Sequence, residues 1–416
     1  MDVLDRKKVF RDPIYGYIHV GYDIIKDLID TPAFQRLRRI KQLSGVQMVF
    51  HGAEHSRFSH SLGVYEVANR FLEIPDIKHT LSEREQLLFL TAALLHDIGH
   101  GAYSHAFEDV FLVNHEKIGA SIIVENKEIR EILNRVDDDF AKDVASIILK
   151  KGKFKIIEQL ISSQLDVDRM DYLSRDAYFT GAAYGKIDVD RLTRVLRIKD
   201  GRVVFKLSGI HAIENYLISR YHMYWQVYFH PVARSYEVIL EKIYLRIRNL
   251  LNENYAFNSY VEPLRRLMED PTDLEAYLEI DDFYINGLIK SFLKTEDSIL
   301  RILADDFMNR HIWEYINETN EHKDEINHIK QTMSDEELKY FTSSRTVHES
   351  TYKDETSNLG ENIYILLEND EISTLKQQSK IIESLSYSGM KSDPKFFYRK
   401  KWNKFLLLKV SMMWTA

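Results

Sequence analysis

The segment SEREQLLFLTAALLHDIGHGAYSH, residues 82–105, decides the fold class. Ser82 and Glu85 have the spacing at which a hydroxyl and a carboxylate reciprocally cap the first turn of a helix. Residues 87–95 form an apolar run of buried-helix character, and Gly99 and Gly101 follow where a helix must stop. His96 and Asp97 therefore sit at a helix end. That placement matters chemically, because adjacent residues cannot share one side of a regular helix, and only its end can direct both inward.

Outward from this segment the chain keeps the same character. With 7 prolines and 16 glycines in 416 residues, and many segments at helical apolar spacing, it reads as mainly α with few strands. A second helix is expected over about 141–163, its continuation carrying Asp168, Asp171 and Asp176 toward the first. Residues 195–206 place β-rich flanks around Asp200 and Gly201, the signal for a small hairpin projecting from the helical body. From 210 to 252 an amphipathic stretch spaces Arg220, Tyr224 and Tyr228 by four, giving one face suited to lie over a ligand. Beyond about residue 255 acidic and lysine residues become more frequent, with a mixed α/β stretch expected over about 340–400 around residues 362–367. The predicted division is a chemistry-bearing domain over 1–255 and an accessory, oligomerisation region over 256–416.

Composition narrows the chemistry. A hydrophobic content of 44% with 12% aromatics suffices for a large core. With no cysteine, disulfides, thiolate-held zinc and iron-sulfur clusters are excluded, so any metal must be held by His, Asp or Glu. The net charge of -8 argues against a nucleic-acid-coating surface, and a polyanionic ligand must be met locally. The first residues, MDVLDRKKVF, lack a signal-peptide core, and no stretch approaches the roughly 20 apolar residues that span a bilayer. A soluble cytoplasmic protein without a membrane partner is expected.

Alone, a His-Asp pair is a weak signal, since such pairs occur by chance and a lone buried histidine is usually a packed one. Its neighbours strengthen it. HSRFSHSLGV (55–64) supplies His55, Arg57 and His60, and LDVDRMDYLSRD (165–176) supplies Asp166, Asp168, Asp171 and Asp176. Two imidazoles and two carboxylates suit a borderline or hard divalent cation with positions left for water and phosphate oxygen. Hydrolysis of a phosphate ester also needs proton-transfer groups; His100, His105 and His115 are candidates, with Glu116 placed to orient an imidazole.

Six ordered blocks carry a resemblance: KVFRDPIYGYI (8–18), DTPAFQRLRRIKQL (30–43), HSRFSHSLGV, LLHDIGHGAYSH (94–105), NHEKIGAS (114–121) and DVDRMDYLSRD (166–176). Over roughly residues 8–235 the chain resembles the HD-domain deoxynucleoside triphosphate triphosphohydrolases, in a bacterial branch similar to the vertebrate enzyme with a sterile-alpha-motif appendage. The resemblance implies an HD-superfamily helical domain and conversion of a dNTP to deoxynucleoside and triphosphate. It implies metal ligation by His60, His96, Asp97 and Asp168, with manganese or magnesium favoured and iron, nickel or zinc open. Arg57 would hold the α-phosphate, His115 with Glu116 would act in acid-base catalysis, and His100 and His105 would contact the scissile phosphate region. Gln42 and Asp176 would meet the 3'-hydroxyl, Tyr228 would exclude a 2'-hydroxyl, and Arg169, Tyr172 and Arg220 would contact triphosphate or sugar. The family is commonly a tetramer controlled by guanine nucleotides, GTP or dGTP, which here would meet Asp30, Gln35, Arg38, Lys8 and Arg191.

Plainer readings stand beside these. Taken singly, Arg57, Arg169 and Arg220 read as ion-paired residues, and Tyr224 and Tyr228 as core. DTPAFQRLR reads as a helix start, with Asp30 or Thr31 capping and Pro32 in the first turn, a role compatible with guanine recognition at Asp30. Asp166, Asp171 and Glu108 read as supporting groups, and DPKFFYRKKWNKFLLLKV (393–410) as a packed element of the accessory region. Two rival functions remain open: an HD phosphodiesterase or nucleotidase, and a nucleotide-sensing or nucleic-acid-binding protein with a vestigial site.

Overall fold

A computed structural model describes residues 3–111, 113–349, 362–387 and 391–400, with the backbone alone at 3–7, 105, 106, 109, 349 and 387. The expected capping box is present: Ser82 accepts from the Glu85 N–H, Glu85 accepts from the Ser82 N–H, and the helix Glu83–Leu95 follows. Every residue from Leu87 to Leu95 is buried. Each such leucine contributes about 1.5–3 kcal/mol by leaving water, which is why this helix lies at the centre. It packs on the helices Arg57–Leu72 and Phe140–Ile148, and Val167–Thr180 packs on Arg57–Leu72 in turn.

The predicted 141–163 helix is two helices, Phe140–Ile148 and Lys155–Ile161. Lys150 and Gly152 between them adopt left-handed φ of 53° and 77°, and the Gly152 N–H donates to Glu158 Oε1 at 2.9 Å. A local turn with its own hydrogen bond thus overrides helical periodicity.

The Asp200-Gly201 hairpin forms as expected, both turn residues at positive φ, between strands Leu196–Lys199 and Arg202–Lys206. It does not project alone. Tyr364–Leu366 pairs with it in parallel, and Ile372–Thr374 completes a four-stranded sheet. A second sheet orders Glu314–Asn317, Lys391–Tyr398 and Thr342–Glu349, so the mixed character expected after residue 340 is present. An N-terminal antiparallel pair, Val3–Asp12 with Gly16–Tyr22, was not expected from periodicity. Its turn is set by Asp12, which accepts from the N–H groups of Ile14 and Tyr15.

The 210–252 stretch is interrupted too. Helix Ile210–Met223 runs into a π-helical turn, Tyr224–Tyr228, and a second helix spans Pro231–Asn252. A π turn rotates its residues relative to regular helical spacing, so Tyr228 is not simply one step further along the face of Arg220. The last part of the basic segment, residues 401–410, lies outside the described residues. Among the described residues the main apolar core draws on positions from Ile18 to Phe397, a small separate cluster joins Ile316, Ile326 and Phe396, and no helix is long and apolar enough to cross a membrane.

Candidate metal and catalytic site

Three helices bring four side chains together. His60 comes from Arg57–Leu72, His96 and Asp97 from the end of Glu83–Leu95, and Asp168 from the first turn of Val167–Thr180. His60 Nε2 lies 3.1 Å from Asp168 Oδ1 and 3.6 Å from Asp97 Oδ2. His96 Nε2 lies 3.4 Å from Asp97 Oδ1 and 3.6 Å from Asp168 Oδ1. His96 is the C-cap, still helical, and Asp97 is the first residue past it, which lets both face the pocket.

The residues fit a divalent cation. Each imidazole is oriented through its other nitrogen, as metal-ligating histidines usually are: His60 Nδ1 bonds Asp171 Oδ2 at 2.8 Å and His96 Nδ1 bonds the Ala93 carbonyl at 2.9 Å. The buried His96 Nε2 has no hydrogen-bond partner. Electrostatics agree. Burial disfavours a charge on His60, yet bonds to Asp168 and Asp171 outweigh it and push the imidazole up to about 10. Burial likewise lowers His96, but Asp97 and Asp168 raise it overall. Burial would raise Asp97 and Asp168, but the surrounding imidazoles, with Arg57 beside Asp97, hold both below the carboxylate range. A pocket that draws protons onto two imidazoles lacks positive charge, and a bound cation supplies it.

Two glycines make the assembly possible. A Cβ on Gly63 would lie 1.9 Å from Asp171 Oδ1 and 2.3 Å from Arg175 Nη2, so the Asp171–Arg175 pair can stand behind His60 only if residue 63 has no side chain. A Cβ on Gly99 would lie 2.1 Å from the His115 carbonyl. That close approach brings the His100 and His115 rings into a stack with centroids 4.0 Å apart.

Beside the ligand set, Arg57 Nη1 donates to Asp97 Oδ2 at 2.5 Å, while its Nε and Nη2 donate to Ser104 Oγ at 3.2 and 2.8 Å. His100 Nε2 lies 3.3 Å from Asp97 Oδ1. Burial and the Arg57 charge drive the His100 imidazole down to about 3, so it is neutral at physiological pH. The carboxylate that reaches His115 is Glu108, at 3.0 Å; Glu116, expected in that role, turns outward to Lys150 Nζ at 3.2 Å. Glu108 comes from the next helix, His105–Phe111, and spacing alone did not distinguish it from Glu116. The side chain of His105 lies outside the described residues.

On the other flank Asp176 is shared between His55 Nε2 at 2.8 Å and the Tyr228 hydroxyl at 2.7 Å. Burial and the Asp176 charge keep that phenol protonated. The His55 ring stacks on Phe179 at 4.6 Å, a role the sequence did not disclose. Tyr172 packs between His60 and Tyr228, Arg220 is buried, Gln42 Oε1 is buried without a partner, and Arg169 pairs with Asp166.

The effector candidates are more dispersed. Thr31, not Asp30, caps the helix Pro32–Gln35. Asp30 is exposed and lies 3.5 Å from Lys26 Nζ. Gln35 Oε1 accepts from Arg38 Nε at 2.7 Å. Arg191 donates to the Ser208 carbonyl at 2.6 Å, and Lys8 is exposed on the first strand.

A helical pocket of convergent imidazoles and carboxylates is the class of site that holds a divalent cation with open positions. Residues 57–176 match the HD domain, and residues 187–392 the HD associated region. The uncharacterized protein YwfO of Bacillus subtilis is 42% identical over 414 residues, 95% of this chain and 93% of its own. A deoxynucleoside triphosphate triphosphohydrolase SAMHD1 homolog of Dictyostelium discoideum is 31% identical over 293 residues, 64% of this chain and 56% of its own. The crystal structure of a phosphohydrolase from Bacteroides thetaiotaomicron matches with a TM-score of 0.82 at 29% identity, covering 95% of this chain and 100% of that one. The chain belongs to the HD-domain family.

Proposed function

We propose that this protein hydrolyses a deoxynucleoside triphosphate to deoxynucleoside and intact triphosphate. The observation that carries the reading is the convergence of His60, His96, Asp97 and Asp168 with Arg57 and the His100–His115 stack against one pocket. His60, His96, Asp97 and Asp168 would hold a divalent metal ion, manganese or magnesium first among the choices. When bound, that ion supplies Lewis acidity toward a phosphate oxygen and acidifies water.

The chain's own residues do the rest. Arg57 turns from Asp97 and Ser104 toward the α-phosphate, giving a planar donor pair to an anion. Neutral His100 contacts the scissile phosphate region as a hydrogen-bonding group, and His115 serves in acid-base catalysis with its imidazole oriented by Glu108. His105 also belongs to this group through the resemblance. Asp176, held by His55 and Tyr228, and Gln42 meet the 3'-hydroxyl; Tyr172, Arg169 and Arg220 complete the sugar and triphosphate contacts. Guanine nucleotide, GTP or dGTP, binds at Asp30, Gln35 and Arg38 with Lys8 and Arg191 from other elements, in a homotetramer.

The test is chromatographic product analysis with each deoxynucleoside triphosphate, manganese or magnesium, and GTP or dGTP added or omitted. Deoxynucleoside plus triphosphate is expected, lost on chelation and in Asp97→Ala. Release of orthophosphate or a nucleoside monophosphate would instead make the protein a nucleotidase or phosphodiesterase.

A further inference from the structure

Two consecutive non-glycine residues of the loop after Asp97, Tyr103 and Ser104, adopt left-handed φ of 55° and 48°, and both are buried. Such conformations are unfavourable for residues with a side chain and persist only where the surroundings over-determine them. The surroundings that do so come from far along the chain. Asp282, 1% exposed, accepts from the Tyr103 N–H through Oδ1 at 3.0 Å and from the Lys41 N–H through Oδ2 at 2.8 Å. The Tyr103 hydroxyl donates to Asn286 Oδ1 at 2.7 Å. Tyr277 donates its hydroxyl to the Gly99 carbonyl at 2.7 Å. Arg36, also 1% exposed, donates Nη1 to the His100 carbonyl at 2.9 Å and Nε and Nη2 to the Ile280 carbonyl at 3.1 and 2.9 Å. Arg39 pairs with Asp281.

These bonds join three pieces of chain: the 36–41 turn, the 97–105 loop and residues 277–286. The loop carries Asp97, His100 and the Ser104 that holds Arg57. Arg36 stands on the same turn as Gln35 and Arg38. A displacement of that turn is therefore felt at the His100 carbonyl through one guanidinium and at the Tyr103 N–H through one carboxylate.

We infer that residues 277–286 are a brace that positions the catalytic loop, with Asp282 and Arg36 as positioning residues, and that a guanine nucleotide at Asp30, Gln35 and Arg38 raises turnover by tightening this brace. The inference rests on the catalytic and effector roles proposed above. It assigns the associated region a part in the reaction without placing any of it on substrate.

The experiment uses the full chain and two variants, Asp282→Asn and the milder Tyr277→Phe, which keeps the ring and loses the hydroxyl that bonds the Gly99 carbonyl and meets Arg36. Hydrogen exchange is measured across 97–105 with and without GTP, beside metal content, KM and kcat. In Asp282→Asn, exchange of that loop should speed up roughly tenfold or more, because a buried donor loses its charged acceptor. With metal content and KM little changed, kcat should fall on the order of 10–100-fold, the cost of a misplaced catalytic group, and stimulation by GTP should disappear. Tyr277→Phe should show the same pattern, weaker, which guards against a folding defect in the first variant. Loop exchange unchanged in both variants, or loop exchange raised with kcat and stimulation intact, overturns the brace. If the wild-type protein hydrolyses no deoxynucleoside triphosphate, the functional reading fails on its own; the exchange comparison, made without substrate, still decides the brace.

Discussion

Asp171 shows how much one side chain carries that no ligand list contains. It bonds His60 Nδ1 at 2.8 Å and receives both Arg175 Nε and Nη2 at 2.9 Å, and Arg175 continues to Asp12 at 2.8 Å. Groups that orient a ligating imidazole typically contribute 10–100-fold to metal affinity. Asp171→Asn keeps the shape and one acceptor but removes the charge facing His60 and Arg175. Metal affinity, measured by competition with a chelator, is expected to fall on the order of 10–100-fold, with a loss of about 1–3 kcal/mol in stability for the weakened buried guanidinium. Wild-type affinity in this variant would remove Asp171 from the design. At this scale the sequence was readable where chemistry is local: His96 and Asp97 face inward because a helix ends there, and Asp171 follows Asp168 by three on one helix. It was unreadable where partners meet through loops. Ser104 under Arg57, Glu108 in place of Glu116, and His55 on Asp176 are set by tertiary approach, the second by the contact of Gly99 with the helix His115–Glu125.

Elements were legible in proportion to how strongly local signals agreed. The capping box and the Asp-Gly turn each fix backbone geometry by their own hydrogen bonds or φ values, and both are present. The 141–163 and 210–252 stretches kept an apolar period across a left-handed turn and a π turn, and period alone cannot register either break. The joint between two long elements gives a test at this scale. Asp297 caps Ser298–Met308 by accepting the Leu300 N–H at 2.7 Å, and the same carboxylate receives Arg246 Nε at 3.1 Å and Nη2 at 2.5 Å from Pro231–Asn252. Burial raises the Asp297 pKa, but Arg246 and the cap outweigh it and hold it below the ordinary 3.8. A carboxylate whose folded pKa is depressed stabilises the fold above its unfolded pKa and loses that contribution as pH falls through the folded value. Asp297→Asn preserves the cap and removes the charge, so it should cost about 1–3 kcal/mol at pH 7. The difference from wild type should shrink as the pH drops below the ordinary carboxylate value, because protonated Asp297 resembles the amide. Urea denaturation of both proteins at neutral and acid pH checks this; a pH-independent gap would show that the charge is not what joins the two helices.

For the whole molecule, the division predicted near residue 255 falls where Pro231–Asn252 ends, yet the core does not divide there. That helix packs along Ser298–Met308, and Tyr236 stacks on Phe307 with centroids 4.2 Å apart. Arg234, 4% exposed, reaches Asp393 at 2.8 Å and the Arg345 carbonyl at 2.8 Å. Asp282 and Tyr277 hold the loop that carries His100. Apolar periodicity cannot reveal such joins, because an amphipathic face shows that a helix has a partner and not which one. A fragment ending at residue 255 would expose the apolar face of Pro231–Asn252 and leave Arg36 without the Ile280 carbonyl and the Tyr103 N–H without an acceptor. Polar groups left without partners, at about 1–3 kcal/mol each, together with an uncovered core face consume a domain's net stability of about 5–15 kcal/mol. We therefore propose that the two family regions fold as one cooperative unit. The full chain should unfold in a single calorimetric transition with calorimetric and van't Hoff enthalpies in agreement. The 1–255 fragment should show no cooperative melt by circular dichroism and should elute as expanded or aggregated species. A fragment that melts cooperatively and retains metal would mean that the catalytic half is an independent domain, and that residues 277–286 only rest against a loop already shaped without them.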